Sequence, residues 1–409
     1  MGGKGQVKLK SITGLSKNVR SLGWVSLFND ASSEMIYPLL PLFLTQVLGA
    51  GVVFVGLIEG LAESVSSFLK LVSGWLSDRF RKRKGMIVFG YSLPAIARPF
   101  IALATSPFHV LLLRFLDRVG KGMRTSPRDA LLSKSCGESE RGIAFGFQRA
   151  MDHAGAIIGP LIATFLLATV TTNLRIVFLL AFLPSLATIW ILLRGVTEVK
   201  ENGPTDSSAS PPKLQWRGWD RRFKSFLVII TLFTLGNSSD AFLLLRAKDL
   251  GVDSVSIPIL WVALHVSKMI FSVPGGSLSD RIGRRGVMIT AWTVYGLVYL
   301  GFAFASEAYH VWLLFLIYGL FFGLSEGTER AWVADLVEES KRGMAYGVYH
   351  FFIGISALPA SLLMGFLWRA VGVQWAFSLG AFLALVAALL ALVLMGNTPA
   401  KSIGQSAKH

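Results

Sequence analysis

The chain has 409 residues, of which 53% are hydrophobic and only 16% are charged, and its formal net charge is +16. A soluble protein of this length cannot bury that much apolar surface in one core, whereas a helical membrane protein exposes it to lipid. The basic residues cluster in short loops between apolar runs, where positive charge fixes membrane orientation, so the charge does not indicate nucleic-acid binding.

Twelve apolar runs of about 20 residues follow a basic N-terminal stretch, and each is long enough to cross a bilayer. The stretch 1–21 contains five basic residues and no acidic ones, which predicts a cytoplasmic tail rather than a signal peptide. In the N-terminal half the spans are predicted at 22–44, 52–76, 86–104, 108–132, 142–167 and 174–193. In the C-terminal half they are predicted at 223–245, 254–278, 287–305, 311–336, 343–367 and 374–395.

A polar segment without periodicity divides the chain. Residues 195–222 include Pro211-Pro212 and a Ser-rich stretch, and they predict a cytoplasmic linker. The predicted bundles are therefore 22–194 and 223–396, followed by a cytoplasmic tail at 397–409. Loop charges agree with both termini being cytoplasmic, except that the seventh loop carries Arg246 and Lys248.

A short basic turn occurs twice, about 200 residues apart. One copy runs from Gly74 to Lys84 and the other from Gly276 to Arg285, and in each an Asp-Arg pair follows Gly-x-Leu-Ser. Both copies lie between the second and third apolar runs of their half. A repeat in this position indicates two six-helix bundles of equal topology, related by an axis along the membrane normal.

These features resemble the major facilitator superfamily over nearly the whole chain. The turns are similar to its loop signature Gly-x-Leu-x-Asp-Arg-x-Gly-Arg-Arg, with Arg81 in place of the usual Gly in the first copy and Gly283 in the second. The run Asp117-Arg118-x-Gly120-Lys121-Gly122, followed by Pro127-Arg128-Asp129, is similar to a signature of a bacterial branch of transporters. The resemblance implies an all-α integral membrane protein with about twelve transmembrane helices in two pseudo-symmetric bundles.

The fifth run contains a glycine motif. Gly155-Ala-Ile-Ile-Gly159-Pro160 resembles the antiporter motif Gly-x-x-x-Gly-Pro-x-x-Gly-Gly, although Ala163 and Thr164 replace its last two glycines. Glycines at this spacing permit close helix packing. The motif favours antiport, and its incompleteness leaves the direction of transport open.

Carboxylates inside the predicted spans are candidates for proton coupling. Asp30 and Glu34 are four residues apart and share one face of the first span. A partly desolvated carboxylate can bind and release a proton near neutral pH, so both are candidates, and Asp152 in the fifth span is a third. The alternative is structural: the carboxylates are neutralised by basic residues of the fourth span, and His153 is a hydrogen-bonded packing residue.

The fourth span carries cations at helical spacing, which places Arg118 and Lys121 near the middle of the membrane. Such a stripe is suited to an anionic solute. The alternative is an internal salt-bridge network with Asp117, Asp129, Asp152 and the carboxylates of the first span. The full set of predicted substrate-cavity residues is Tyr37, Arg118, Lys121, Gln148 and Glu326.

By the resemblance, the two Asp-Arg turns form a gate at the cytoplasmic face. The alternative is a set of basic residues that only fixes orientation, but orientation needs no aspartate. Glu329 and Arg330 occupy positions equivalent to Arg128 and Asp129 with the signs reversed, which suggests ion pairs between the halves. The predicted gate residues are Asp78, Arg79, Arg83, Arg128, Asp129, Asp280, Arg281, Arg284, Glu329 and Arg330.

The prediction is a proton-coupled secondary transporter of the cell inner membrane that exports an anionic or amphipathic solute by antiport. Proton-coupled uptake of an organic anion is the alternative, and a receptor-like protein without transport is less favoured. The sequence has no phosphate-binding loop, zinc-protease motif or nucleophile elbow, and its one cysteine, Cys136, permits no multi-cysteine cluster. We therefore expect no enzymatic activity, cofactor, metal or nucleic-acid partner. The expected partners are a small solute, protons and membrane lipid, with the chain as a monomer.

Overall fold

The computed structural model describes residues 15–80, 82–136, 141–199, 218–338 and 342–395. Within these ranges the chain folds into twelve long helical segments and contains no strand. In the N-terminal half the segments are α1 (Lys17–Ile36, continued by Tyr37–Leu39, Leu40–Leu42 and Phe43–Val47), α2 (Val52–Phe80), α3 (Arg83–Ile101), α4 (Pro107–Lys134), α5 (Arg141–Thr169) and α6 (Leu174–Leu180 and Phe182–Gly195). In the C-terminal half they are α7 (Arg221–Gly236 and Ala241–Asp249), α8 (Ile257–Ile282), α9 (Arg284–Phe304), α10 (Ala308–Asp335), α11 (Arg342–Ala370) and α12 (Val373–Leu394).

The twelve segments correspond to the twelve predicted spans, so the predicted all-α fold is confirmed. Several helices begin earlier than predicted, and two of them are preceded by capping side chains. The Ser16 hydroxyl accepts a hydrogen bond from the Val19 N–H at 3.4 Å, so α1 starts at Lys17 inside the predicted tail. Asp220 caps α7 in the same way, and that helix starts inside the predicted linker. Over the described residues, nine of the segments are apolar and long enough to cross a membrane by composition alone, and α1, α3 and α4 are the exceptions.

The two halves repeat the same helix pairings. In the first half α1 packs on α5 and α6, and α4 packs on α2 and α3. In the second half α7 packs on α11 and α12, and α10 packs on α8 and α9. The contacts between halves also come as an equivalent pair, α2 with α11 and α5 with α8. The pseudo-symmetry that the sequence repeat predicts is therefore present in the packing.

Glycines bring α2 and α11 into close contact across the halves. A Cβ atom at Gly60 would lie 2.8 Å from the Leu358 Cα, and one at Gly365 would lie 2.9 Å from the Val52 carbonyl oxygen. Both distances are shorter than real Cβ contacts, so only glycine allows the backbones to approach this far. The halves consequently meet along a narrow, tightly packed seam.

The outer surface is apolar. Large side chains on several helices are more than half exposed, among them Phe165, Trp190, Leu297 and Phe382. A surface of this kind is solvated by lipid chains, and helices satisfy their own backbone hydrogen bonds in that environment. The chain is therefore a multi-pass membrane protein.

The end of the bundle that carries the α2–α3 and α8–α9 connections is called the Asp-Arg end here, and the other is the opposite end. Gly283 has φ +93°, a conformation that favours glycine, and it connects α8 directly to α9. The residue after it in the turn, Arg284, bonds to Asp335 of α10 at 3.2 Å. Arg285 donates to the Ala391 carbonyl at the end of α12 at 3.2 Å. These basic residues thus tie the turn to other helices of its own half.

At the opposite end, Arg246 caps the C-terminus of a neighbouring helix. Its guanidinium donates to the carbonyls of Phe302 at 3.1 Å and Ala305 at 2.6 Å, at the end of α9. Arg175 does the same at the end of α3, with the carbonyls of Ala102 and Ala104 at 2.6 and 2.7 Å. A cation at a helix C-terminus satisfies carbonyls that have no partner within the helix. The positive charge in the seventh loop therefore serves structure and does not conflict with the predicted orientation.

The first helix of each half is interrupted near its middle. In α1 the regular helix gives way at Tyr37 to short turns that contain Pro38 and Pro41, which supply no backbone N–H. In α7 the helix stops at Gly236 and resumes at Ala241. Both interruptions lie at the interface between the halves, where the short segments beside them contact helices of the other half.

Candidate functional site: a central cavity between the halves

A cavity of about 410 Å³ lies between the two halves. Its volume falls within the range of about 300–1,000 Å³ that is typical of small-molecule sites. Both interruptions described above contribute to its wall. The residues that line it are Glu34, Tyr37, Glu59, Ala62, Glu63, Arg118, Lys121, Thr234, Asn237, Ser238, Ser239, Asp240, Trp261, His265, Phe322, Ile353, Ala357 and Ser361.

Glu34 connects the halves across the cavity. One of its carboxylate oxygens accepts a hydrogen bond from the Trp261 indole N–H at 2.8 Å, and the other accepts from Ser33 at 3.2 Å. The Trp261 ring packs on the Tyr37 ring with centroids 5.0 Å apart. A carboxylate in this position faces both the cavity and a residue of the other half.

Hydrogen bonds that join the halves include two more. Ser64 donates to the Gly354 carbonyl at 2.5 Å, and Thr164 donates to the Val255 carbonyl at 3.4 Å. Ser64 is near the middle of α2, whereas Thr164 and Val255 are toward the opposite end. These contacts hold the halves together around and above the cavity.

A buried charge network supports the α4 side of the cavity. A single nitrogen of Arg114 donates to both oxygens of Glu59, at 2.8 and 2.9 Å. Asp117 contacts Arg98 at 3.0 Å, Arg118 at 3.3 Å and Arg114 at 3.8 Å. Three arginines therefore share two carboxylates, and one positive charge is left over. Arg118 lines the cavity, so the excess positive charge lies at the cavity wall.

The charges on the cavity wall are of both signs. Four carboxylates, from Glu34, Glu59, Glu63 and Asp240, line it together with two cations, Arg118 and Lys121. Glu59 is neutralised by its arginine, and Asp240 accepts a hydrogen bond from the Tyr318 hydroxyl at 2.7 Å. The wall is therefore amphoteric rather than a uniform cationic surface.

The structure brings part of the predicted site together. Of the predicted proton carriers, Glu34 lines the cavity. Asp30 accepts from the Asn29 amide at 2.7 Å beside α5, and Asp152 accepts from the Gln148 amide at 2.7 Å. Of the predicted cavity residues, Tyr37, Arg118 and Lys121 lie on the wall.

Two predicted cavity residues lie elsewhere. The Gln148 amide, besides its bond to Asp152, donates to the Ser26 hydroxyl at 3.0 Å in the α1–α5 contact. Glu326 is exposed and lies outside the lining. The prediction omitted Asp240, Trp261, His265 and Phe322 from the cavity. The polar run Gly-Asn-Ser-Ser-Asp marks the interrupted helix around Asp240 in the sequence. The rotation of α8 and α10, which decides whether Trp261, His265 and Phe322 reach the cavity, has no such sequence signal.

Several of the predicted gate residues that the structure describes have partners within their own halves. The Arg128 guanidinium contacts the neighbouring Asp129 carboxylate at 2.9 Å. Glu329 accepts a hydrogen bond from the Tyr349 hydroxyl at 2.5 Å, and the Arg330 carbonyl accepts one from Tyr346 at 2.9 Å. Pairing of these residues across the halves stays a prediction.

The first Asp-Arg turn is partly described. Glu198, after α6, accepts hydrogen bonds from the N–H groups of Arg83 at 3.2 Å and Lys84 at 2.7 Å, which caps α3. Arg281 in the second turn is exposed. The side chains of Asp78, Arg79 and Asp280 lie outside the part of the chain that is described, so their gate contacts are not tested.

The glycine motif of α5 packs against α1. A Cβ atom at Gly155 would meet the Leu27 carbonyl, and one at Gly159 would meet the Ala31 carbonyl. Pro160 follows within the same helix and is buried. The motif therefore sets the separation of α5 from α1, and α1 contributes Glu34 and Tyr37 to the cavity wall.

Comparisons with known proteins agree with this architecture. The family model of the Major Facilitator Superfamily matches residues 22–262 and 225–409. The chain is 37% identical over 384 residues to an uncharacterized MFS-type transporter of Methanocaldococcus jannaschii, covering 92% of this chain and 95% of the relative. It is 38% identical over 158 residues to the multidrug resistance protein MdtH of Photorhabdus laumondii, covering 37% of this chain and 39% of that relative. A solved POT family transporter in complex with 5-aminolevulinic acid has the same fold, with a TM-score of 0.79 at 14% identity and coverage of 94% and 97%.

Proposed function

The chain belongs to the major facilitator superfamily, and from this premise we propose that it is a proton-coupled antiporter that exports an amphipathic solute with an acidic group. The observation that carries the proposal is the cavity between the halves, with Glu34 and Trp261 in contact across it. Alternating access in this fold requires a site that both halves share, and this cavity is such a site.

The composition of the cavity supports an amphipathic solute. Tyr37, Trp261 and Phe322 provide apolar surface, and Arg118 with Lys121 provides positive charge for an acidic group. Because carboxylates line the cavity together with the cations, a simple anion without apolar or hydrogen-bonding groups is repelled as well as attracted. A solute with separate apolar, acidic and hydrogen-bonding parts fits the wall better.

Glu34 is the proposed proton carrier. Its carboxylate is partly enclosed, faces the cavity and touches the other half through Trp261. A proton on Glu34 removes a negative charge from the cavity wall. It also weakens the carboxylate as an acceptor for the Trp261 N–H. Proton binding therefore acts on the solute site and on the contact between halves together.

Export is proposed on two grounds. The Gly155–Pro160 motif is similar to that of antiporters, and a relative that matches over 158 residues is a multidrug resistance protein. We further propose that the chain lies in the cell inner membrane as a monomer with the Asp-Arg end and both termini in the cytoplasm, as the basic loops favour. There, the turns serve as the proposed gate.

The test uses purified protein in liposomes with an imposed pH gradient. A solute is first chosen from a panel of amphipathic acids by its stabilisation of the protein against heat. An antiporter accumulates this solute when the liposome interior is acidic, whereas a symporter does so when the exterior is acidic. This sign does not depend on the orientation of the inserted protein.

Glu34→Gln keeps an oxygen for the Trp261 N–H and removes the titrating group. We expect it to abolish pH-driven flux while gradient-free exchange of labelled solute and solute binding remain. Glu338→Gln is the matched control, because Glu338 is exposed at the Asp-Arg end. Unchanged pH-driven flux in Glu34→Gln would overturn the proton assignment. Accumulation with an acidic exterior would replace antiport by uptake of an organic anion, a function that Arg118 and Lys121 on the wall also suit.

A further inference from the structure

One face of α8 carries three chemically distinct side chains along the cavity. Trp261, His265 and Lys268 are spaced by four and three residues, so they lie on the same side of the helix. Trp261 and His265 line the cavity, and their rings meet edge to face with centroids 5.3 Å apart. The Trp261 N–H is already used by Glu34. His265 has no equivalent use in the proposed mechanism.

Both ring nitrogens of His265 are buried, and neither has a hydrogen-bond partner among the described residues. A buried polar atom without a partner is unfavourable, so most such atoms in proteins are satisfied. An imidazole offers at least one N–H donor, and in its neutral form the other nitrogen is an acceptor. His265 lines the cavity, and the hydrogen-bonding capacity of its two ring nitrogens is unused among the described residues.

Lys268 sets the electrostatic character beside His265. Its side chain is buried, with the ammonium nitrogen 3.3 Å from the ring centroid of Phe322 and 6.0 Å from that of Trp261. Within the described residues, no carboxylate lies within ion-pair distance of this nitrogen. A cation held by ring faces favours an approaching oxygen over an approaching amine.

We propose that His265 binds an oxygen of the solute and is a specificity-determining residue of the cavity. The inference rests on the proposed function and narrows its substrate class. The solute is an amphipathic acid with a second, uncharged oxygen group such as a hydroxyl, set apart from the acidic group. Its acid lies at Arg118 and Lys121, its apolar middle lies against Phe322, and its second oxygen lies at His265.

The experiment compares two probes that differ only in that oxygen, 2-naphthoate and 6-hydroxy-2-naphthoate. Binding to the purified protein is measured by calorimetry or tryptophan fluorescence. We expect the wild type to bind the hydroxylated probe about three- to tenfold more tightly, the gain typical of one added hydrogen bond. His265→Leu should remove this preference and leave the affinity for 2-naphthoate nearly unchanged.

Two further variants keep the test decisive. His265→Gln retains donor and acceptor groups and should keep part of the preference, even if His265→Leu does not fold. His109→Leu is the matched control, because His109 is exposed at the opposite end and should change neither affinity.

An equal loss of affinity for both probes in His265→Leu would make His265 a packing residue and overturn the inference. The absence of a wild-type preference, or of binding by either probe, would also overturn it. Neither result would affect the proposed function if the protein still shows pH-driven flux of another solute.

Discussion

Asp117 is a buried carboxylate that contacts three arginines in the interior of the N-terminal half. It contacts Arg98 at 3.0 Å, Arg118 at 3.3 Å and Arg114 at 3.8 Å, and its side chain is 6% exposed. Asp117→Asn preserves the shape and removes the charge, so three buried cations are left with Glu59 alone. Breaking one buried ion pair from one side costs about 3–5 kcal/mol, because the remaining charge stays uncompensated. We expect the free energy of unfolding to fall by at least about 3 kcal/mol.

The same substitution elsewhere on α4 provides the control. Asp129 contacts Arg128 at 2.9 Å, but its side chain is 40% exposed, and exposed pairs contribute about 0–1 kcal/mol. Unfolding equilibria of Asp117→Asn, Asp129→Asn and the wild type, titrated with SDS in mixed micelles, measure the difference. Combining Asp117→Asn with Arg98→Met should cost less than the sum of the single changes, because one stranded cation is removed. Equal losses for the two Asn variants, or a loss under about 1 kcal/mol for Asp117→Asn, would refute the reasoning.

Two further predictions concern helix packing and capping. Gly159→Ala inserts a methyl group against the Ala31 carbonyl and should destabilise the protein by about 1–3 kcal/mol, whereas Gly327→Ala, with open space around it, should not. The same SDS titration tests this pair, and equal stability would show that α1 and α5 separate freely. Glu198→Gln weakens the cap on two N–H groups at the start of α3, so we expect a loss of about 0.5–2 kcal/mol and a lower melting temperature. An unchanged melting temperature would mean that the cap contributes nothing to folding.

The fold could be predicted from the sequence because each helix carries its own signal. An apolar run of sufficient length is a local property, and the repeated Asp-Arg turn relates the halves without reference to their contacts. The earlier start of α1 at Lys17 depends on one hydroxyl, that of Ser16, which hydropathy does not register. The interruption of α7 between Gly236 and Ala241 falls at the polar run Gly-Asn-Ser-Ser-Asp, which the predicted span 223–245 treats as continuous helix.

The site was only partly predictable because helical spacing gives shared faces but not their direction. The spacing of Asp30 and Glu34 predicts one shared face, yet Glu34 faces the cavity and Asp30 lies by α5. Gln148 and Asp152 do share a face, and it packs against α1. The rotation of each helix follows from close contacts such as those of the α5 glycines, which only the assembled bundle reveals.

The sign of proton coupling follows from what the solute presents to Glu34. If a solute group donates a hydrogen bond to the Glu34 carboxylate, solute and proton compete for one site, and competition is the requirement for antiport. If the acidic group of the solute lies there instead, the proton removes a repulsion, the two bind together and the protein is a symporter. Binding linkage is reciprocal, so the two cases differ in an equilibrium measurement.

For the proposed antiporter, solute affinity should rise with pH as Glu34 loses its proton, and this dependence should vanish in Glu34→Gln. Calorimetric titrations of wild type and variant at several pH values, above the range in which the solute's own acid titrates, measure it. Affinity that rises as the pH falls would contradict antiport and assign the cavity to uptake. A pH dependence that persists in Glu34→Gln would assign the proton to another carboxylate of the cavity wall. Asp240 of α7 is the lining carboxylate that the C-terminal half contributes.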